Sequence, residues 1–400
     1  MSASRDDLRT PGVLIGAVTA FALVATLTSC GATPASPPQP TPTVTLAPSA
    51  SPVPSASPPE ETPTASDPAV SWTWELHSLP GGPARGAARI GDRWIALDGL
   101  QGWSSADAVA WEEVSVDGTP QETEGQINLG PVAQLGDTSY AIGMWYGPGD
   151  AVHPVVWAST NGESWTQVNP GEPWGFVAYD VASDGAQLAV AGTLYDYGDG
   201  RVWTSSDAAT WTEHVSDGGP ATMHAVHGDA DGFVAVGFRL DTRGAGVPTI
   251  WYSRDGSAWR DALVPPAEGP LTLLDVARLP GGRYAALGIR GTETEIGEIV
   301  TWFADDPMAW SAAPDQPRGL VPGHLLSTHG GMLAITSGRS GPVVRISTDG
   351  VNWSEEAPLP LPDAVIRVSA VATDGTDVVL LGSTLEGDAH FAWLGHPARN

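Results

Sequence analysis

One nine-residue pattern, W-x-S-x-D-x-x-x-W, returns along this chain and limits what it can fold into. It reads Trp103-Ser105-Asp107-Trp111, Trp157-Ser159-Asn161-Trp165, Trp203-Ser205-Asp207-Trp211 and Trp251-Ser253-Asp255-Trp259. Two altered copies follow, Trp302-Ala304-Asp306-Trp310 and Arg345-Ser347-Asp349-Trp353. The internal spacing is constant. Successive copies lie about 43 to 54 residues apart, a period that signals a repeat architecture.

Around each copy stand the same four runs. In the fourth unit, Met223–His227 alternates, Asp229–Gly232 turns, and Phe233–Gly237 is apolar throughout. Thr249–Ser253 forms a third run, and Trp259, beyond the motif turn, opens a fourth. Runs bounded by Gly and Asp clusters are what hairpins require. The second run recurs at Trp94–Leu97, Tyr140–Gly143, Leu188–Gly192, Tyr284–Gly288, Met332–Ile335 and Val378–Gly382. Apolar on both faces and rich in Ala and Gly, these are expected as the inner strands, close to an axis. There are seven of them against six motifs. The missing outer strand stands at the start, where Ser71–Leu76 matches Ala209–Glu213 in pattern. The expectation is an all-β, seven-bladed β-propeller of four-stranded blades, its ring closed by the N-terminal strand. Closure removes exposed sheet edges. A six-bladed ring with stray ends is the alternative.

The motif resembles the Asp-box, or BNR repeat, of sialidase-like propellers, whose pattern is S-x-D-x-G-x-x-W. Here one residue fewer separates Asp from Trp, as in Ser253-Arg254-Asp255-Gly256-Ser257-Ala258-Trp259. A short Asp or Asn side chain can accept hydrogen bonds from the backbone of its own turn. A neighbouring Gly permits positive φ. Ala108, Ala208 and Pro307 stand where other copies have that Gly. Asp107, Asn161, Asp207, Asp255, Asp306 and Asp349 are therefore read as structural.

The resemblance implies an alternative activity, that of a sialidase-like exo-glycosidase. Such an enzyme needs three arginines for the substrate carboxylate, a Tyr-Glu pair and an Asp acid. The family's N-terminal Arg-Ile-Pro element is missing, since Arg89-Ile90 is followed by Gly91. Arg239, Arg290, Arg339, Arg345 and Arg367 could converge in principle, and nothing in the sequence brings them together. His224 and His227, three apart on an expected strand, point to opposite faces. Asp196 to Asp199 and Asp229 to Asp231 are candidate calcium ligands without a full loop pattern. No cofactor or metal is expected.

The N-terminal region carries a separate message. Arg5 and Arg9 precede an apolar run from Val13 to Leu27, short for a membrane span and suited to a signal peptide. It ends in Leu27-Thr28-Ser29-Cys30, which resembles a bacterial lipobox. That resemblance implies a signal peptide over residues 1–29 and a lipid on Cys30, anchoring the chain at the extracytoplasmic face of the cell membrane. Residues 30–68 then form a Pro/Ser/Thr-rich linker, and the propeller occupies 69–400. Cys30 is the only cysteine, so no internal disulfide is available.

Composition narrows the partners. The chain has 46 acidic residues against 18 basic, all arginine, for a formal net charge of -28. Nucleic acid is excluded, because its binding depends on basic contacts to phosphate. Aromatics outside the motif gather in the loops of blades two to four, with arginines beside them. Trp145, Tyr146, Trp174, Tyr195, Tyr197, Phe238, Arg239 and Arg243 are the candidate ligand-binding residues. The sequence thus reads as a monomeric, non-catalytic binding or scaffold protein, recognising a protein or glycan at the cell envelope.

Overall fold

The computed structural model describes residues 71–117, 126–148, 152–168, 176–194, 198–267, 269–291, 298–314, 321–338, 341–354, 357–361, 366–384 and 386–398. Residues 68–400 form one compact unit. The described residues are strands and turns, with no α-helix. The signal-peptide, lipobox and linker expectations lie outside them.

The strands follow one another as antiparallel meanders. The first holds β2 (Gly86–Ile90), β3 (Arg93–Asp98), β4 (Gln101–Ser105) and β5 (Glu112–Asp117). The second holds β6 (Gln126–Leu135), β7 (Thr138–Tyr146), β8 (Val152–Ser159) and β9 (Ser164–Val168). Next come β10 (Phe176–Ser183), β11 (Leu188–Leu194), β12 (Asp199–Ser205) and the long β13 (Thr212–Asp229). The N-terminal part of β13 pairs with β12, and its C-terminal part begins a new meander with β14 (Gly232–Leu240), β15 (Gly246–Ser253) and β16 (Arg260–Asp261). Then follow β17 (Leu271–Arg278), β18 (Tyr284–Arg290), β19 (Glu298–Asp306) and β20 (Ala309–Ala312). After them run β21 (Val321–Thr328), β22 (Gly331–Gly338), β23 (Gly341–Ser347) and β24 (Ala357–Pro358). The last is β25 (Ile366–Thr373), β26 (Val378–Thr384) and β27 (His390–Pro397).

That final meander is completed from the other end of the domain. β1 (Trp72–Ser78) pairs antiparallel with β27, from Trp72 opposite Pro397 to Ser78 opposite Phe391. Elsewhere, β5 and β9 pair in parallel, which merges the first two meanders into one eight-stranded sheet. The indole of Trp157 donates to the Asp117 carbonyl across that seam, at 2.9 Å.

The leading strands meet in a cycle. β2 contacts β6, β6 contacts β10, then β13, β17, β21 and β25 follow, and β25 returns to β2. Successive antiparallel meanders arranged around a closed inner ring of strands are a β-propeller. One expectation is corrected. The strands nearest the axis are these leading ones, not the apolar runs of β3, β7, β11, β14, β18, β22 and β26. Those second strands sit one place outward, sandwiched between neighbouring meanders. β11, β14 and β18 are buried along most of their length, which is why both of their faces are apolar.

The repeated motif shapes the turn from third to fourth strand. In five copies the Ser hydroxyl donates to the Asp or Asn Oδ1, as Ser105 does to Asp107 at 3.0 Å. The same Oδ1 accepts two backbone N–H groups further on; for Asp349 these are Val351 at 2.9 Å and Asn352 at 2.8 Å. Asp306, without that Ser, keeps the Met308 N–H at 2.9 Å. In five copies the second Trp folds back over the turn, its indole donating to the carbonyl beside the Asp or Asn, as Trp259 does to Gly256 at 2.9 Å; the indole N–H of Trp353 makes no such bond. Gly162, Gly256 and Gly350 take φ near 74° there. Ala108 and Ala208 hold the same left-handed conformation at 58° and 57°, with both methyls fully buried. A left-handed alanine costs roughly 1–2 kcal/mol, and a buried methyl returns about 0.8 kcal/mol.

Packing outweighs these turns. Trp157, Trp165, Trp251, Trp302 and Trp393 are almost wholly buried. Truncating one such ring costs roughly 3–5 kcal/mol, against about 1 kcal/mol for an ordinary hydrogen bond.

The turn chemistry makes a graded prediction. Burial works against the Asp349 charge, but the Asn352 and Val351 donors outweigh it and hold its carboxyl below the usual range. Asp349→Ala strips the turn of its acceptors and is expected to lower stability by about 1–3 kcal/mol. Asp349→Asn keeps Oδ1, as Asn161 does naturally, and is expected to cost less than about 1 kcal/mol. Urea denaturation of the two variants measures the difference.

Candidate functional site

The leading strands surround a cavity of about 380 Å3. Side chains from every one of them, with Arg85 just ahead of β2, line it. A smaller cavity of about 230 Å3 shares Ala87, Val132 and Val371 with it and continues along the axis.

Bulges bring the polar residues here. The register slips between Ala178 and Asp180 in β10, Met223 and Ala225 in β13, and Leu273 and Asp275 in β17. It slips likewise between Pro322 and His324 in β21 and between Val368 and Ala370 in β25. A bulge adds one residue and re-aims the side chains beside it. Tyr179, Asp180, His224, Asp275, His324 and Ser369 therefore share one wall-to-wall cavity.

Two carboxyls tie strands together. Asp180 Oδ1 accepts the Val181 N–H at 2.8 Å, and its Oδ2 accepts the Val226 N–H of β13 at 2.9 Å. Asp275 repeats this, with Val276 at 2.7 Å and Leu325 of β21 at 2.7 Å. Ser369 donates to the Ala84 carbonyl and so links β25 to the segment before β2. Burial pushes Asp180 up to about 7. Burial pushes Asp275 up to about 8, and the like charge of Asp180 adds to it. The backbone donors pull both the other way without winning. Burial also drives His224 and His324 down to about 4, so both imidazoles are neutral at neutral pH.

His224 packs between Tyr179, 5.4 Å away, and Phe238, 5.7 Å away. His324 lies as deep in the domain, yet part of its ring surface stays accessible, because that surface faces the cavity.

The loop residues singled out from sequence fare differently. Trp145 is not exposed: it is 5% accessible and lies flat on His153 at 5.4 Å within the core of β6 to β8. Strand alternation turns its neighbour Tyr146 outward, to 41%. Phe238 is half-buried against His224. Arg239 is drawn onto Asp261 by two hydrogen bonds and lies over the Trp251 ring at 5.6 Å. Arg243 extends into solvent, held by Asp241 at 3.1 Å. Trp174, Tyr195 and Tyr197 lie outside the described residues. The expected aromatic patch is thus reduced, because Trp145 and Phe238 pack against the rings of His153 and His224.

The Asp229–Asp231 turn is already supplied with positive charge. Arg278 reaches Asp229 at 2.8 Å and Asp231 at 2.7 Å, and His227 meets Asp229 at 3.2 Å. Burial opposes ionisation of Asp229, but these donors prevail and hold its carboxyl far below the usual range. No group of three or more His, Cys, Asp or Glu among the described residues could hold a metal ion.

The axial acids have a sequence signal that the repeat search passed over. Tyr179-Asp180-Val181-Ala182 and Leu274-Asp275-Val276-Ala277 place Asp-Val-Ala at the same point of two leading strands. A charged residue inside an otherwise apolar strand marks either a bulge or a site.

No family model matches the chain, and no curated protein sequence matches it. Among solved structures it is similar to the extracellular domain described as a one-component system from B. thetaiotaomicron. There the TM-score is 0.54 at 10% identity, over 81% of this chain and 40% of that one. It is also similar to hydrazine synthase from Kuenenia stuttgartiensis, with TM-score 0.51 and 12% identity over 76% of this chain and 93% of that one. A third is the β-propeller domain of the Trilobed protease from Pyrococcus furiosus, at TM-score 0.49 and 11% identity, covering 80% and 96%. At these identities the first two likenesses are of fold alone.

The axial groups set a pH dependence. Folded pKa values above the unfolded ones mean that the native state holds extra protons, so Asp180 and Asp275 make stability fall as pH rises from about 4 to 8. His224 and His324, lowered to about 4, oppose this below their unfolded value near 6.5. Above about pH 6.5 only the carboxyls titrate, and stability is expected to decline through about pH 8. Urea midpoints across that window check the decline, and Asp275→Asn is expected to flatten it.

Proposed function

We propose that this chain is an exported, lipid-anchored, seven-bladed propeller that binds a protein or glycan at the outer side of the cytoplasmic membrane and performs no chemistry on it. One observation carries this reading. The acids that reach the axis, Asp180 and Asp275, each use one oxygen on the next N–H of their own strand and the other on an N–H of the adjoining strand. Held in this way as acceptors, neither is placed to act as a nucleophile.

The arrangement of arginines supports it further. Arg239 is held by Asp261 and Arg290 by Glu298, each within its own meander. Arg345 is buried on β23, and Arg367 is exposed on β25. A carboxylate-binding trio would need such side chains converging on one point. Sequence adds the tether: the Leu27-Thr28-Ser29-Cys30 pattern and the Pro-rich stretch behind it.

Two experiments test the two halves. Cys30→Ala is expected to abolish labelling by palmitate and release the protein from the membrane fraction. Retention of both in the variant contradicts the anchor. Crosslinking in intact cells and a broad glycan array are expected to yield a partner without turnover. Steady hydrolysis of a sialoside by the purified protein would replace this reading with the glycosidase.

A further inference from the structure

We propose that the axial cavity binds a small aliphatic diamine, one ammonium seated at Asp180, the other at Asp275, with His324 accepting an ammonium N–H. The proposal concerns the axial cavity alone and does not depend on the identity of a macromolecular partner.

The argument starts from unmet charge. Asp180 and Asp275 reach the same cavity from β10 and β17. Every hydrogen bond they accept comes from a neutral backbone N–H. Neither forms an ion pair among the described residues, although Arg93, Arg201, Arg239, Arg278, Arg283 and Arg290 all do so with other acids. Each carboxylate oxygen has a second lone pair after its one N–H. Arg85 lines the same cavity but pairs with neither acid among the described residues, and burial favours the neutral form of both carboxyls. A cation in the cavity would supply what the fold leaves out.

His324 is an independent indication. Part of its ring surface faces the cavity, and no hydrogen bond to it forms among the described residues. A neutral imidazole presents one acceptor nitrogen. An unpartnered acceptor beside two carboxyls favours a ligand rich in N–H donors. The Tyr179 ring forms part of the same wall, and an aromatic face attracts an ammonium group.

The same features exclude other classes. An anion would meet two carboxyls. A metal ion needs ligands converging within bonding distance, and the described residues offer no such group. The carboxyls reach the cavity from β10 and β17, with β13 between them, and a ligand with a cation at each end can meet both. A cavity of about 380 Å3 has room for a chain of several carbons.

Binding must also move protons. Near neutral pH each protonated carboxyl gives its proton to solvent as the ammonium takes its place. The ammonium keeps its own protons, and the carboxylate keeps its backbone donors.

The test is calorimetry on the full-length chain in detergent, near pH 6.5, in two buffers of different ionisation enthalpy. The probes are 1,4-diaminobutane, 1-aminobutane and 1,4-butanediol. The expected result is saturable diamine binding with release of protons to the buffer. The monoamine is expected to bind about tenfold or more weakly, a difference of about 1.4 kcal/mol, and the diol not at all. Asp275→Asn and His324→Phe are each expected to weaken the diamine by about tenfold. Should a variant fail to fold, proton release by the unaltered chain decides the matter. No heat with either amine overturns the proposal. So does equal binding of diol and diamine, or binding without proton release. Partner capture at the cell surface is untouched by any of these outcomes, so the two readings fail separately.

Discussion

The fold depends on one seam, the pairing of β1 with β27. Without it the last meander would present an open edge, and the inner cycle would be held shut only by the packing of β2 and β3 on β25 and β26 and by the Ser369–Ala84 hydrogen bond. An open edge invites pairing with another chain. Seven residue pairs span the seam, and Trp72, stacked on Trp74 at 5.8 Å, packs with it against the core shared with the preceding meander. With Cys30 the single cysteine, no disulfide shares this duty. Closure is therefore bought by strand pairing and by the large buried rings that pack one meander on the next.

Two uses of aspartate follow from that closure, and they are physically alike. At the rim, motif aspartates gather the N–H groups of their own turns. At the axis, Asp180 and Asp275 each gather one N–H from their own strand and one from the neighbouring strand. The difference is solvent. At the rim backbone donors lower the pKa of exposed carboxyls such as Asp107, whereas at the axis burial overrides the same kind of donor and raises it. Neighbouring meanders are also laced at the rim, where Gln187 donates to the Asp255 carbonyl and Arg283 to that of Asp349. The rim is thus a belt of fixed hydrogen bonds, and the axis is where polar groups are left with capacity to spare.

This contrast explains what could be read from sequence. The turn motif was legible because its whole hydrogen-bonding logic lies within nine residues, Ser105 to Asp107 to Trp111 being a complete unit. The strand completing the ring was legible because Trp72 and Trp74 repeat the pattern of an outer strand. Strand order about the axis was misjudged, since apolar second strands look innermost until both neighbouring meanders are in place. Trp145 looked like a binding residue because sequence shows a loop aromatic but not the His153 ring beneath it. The axial acids and histidines carry no repeat signature. Their chemistry arises only when bulges on separate strands, far apart in sequence, are drawn to one cavity.

The most direct measurement of the account places one cysteine at Thr73 and another at His396, which face each other across the seam. A closed ring predicts that mild oxidation links the two ends, giving a faster-migrating species on a non-reducing gel that reducing agent reverses. A chain that stays unlinked while its strand content by circular dichroism is unchanged would contradict closure, and with it the cavity on which the rest is built.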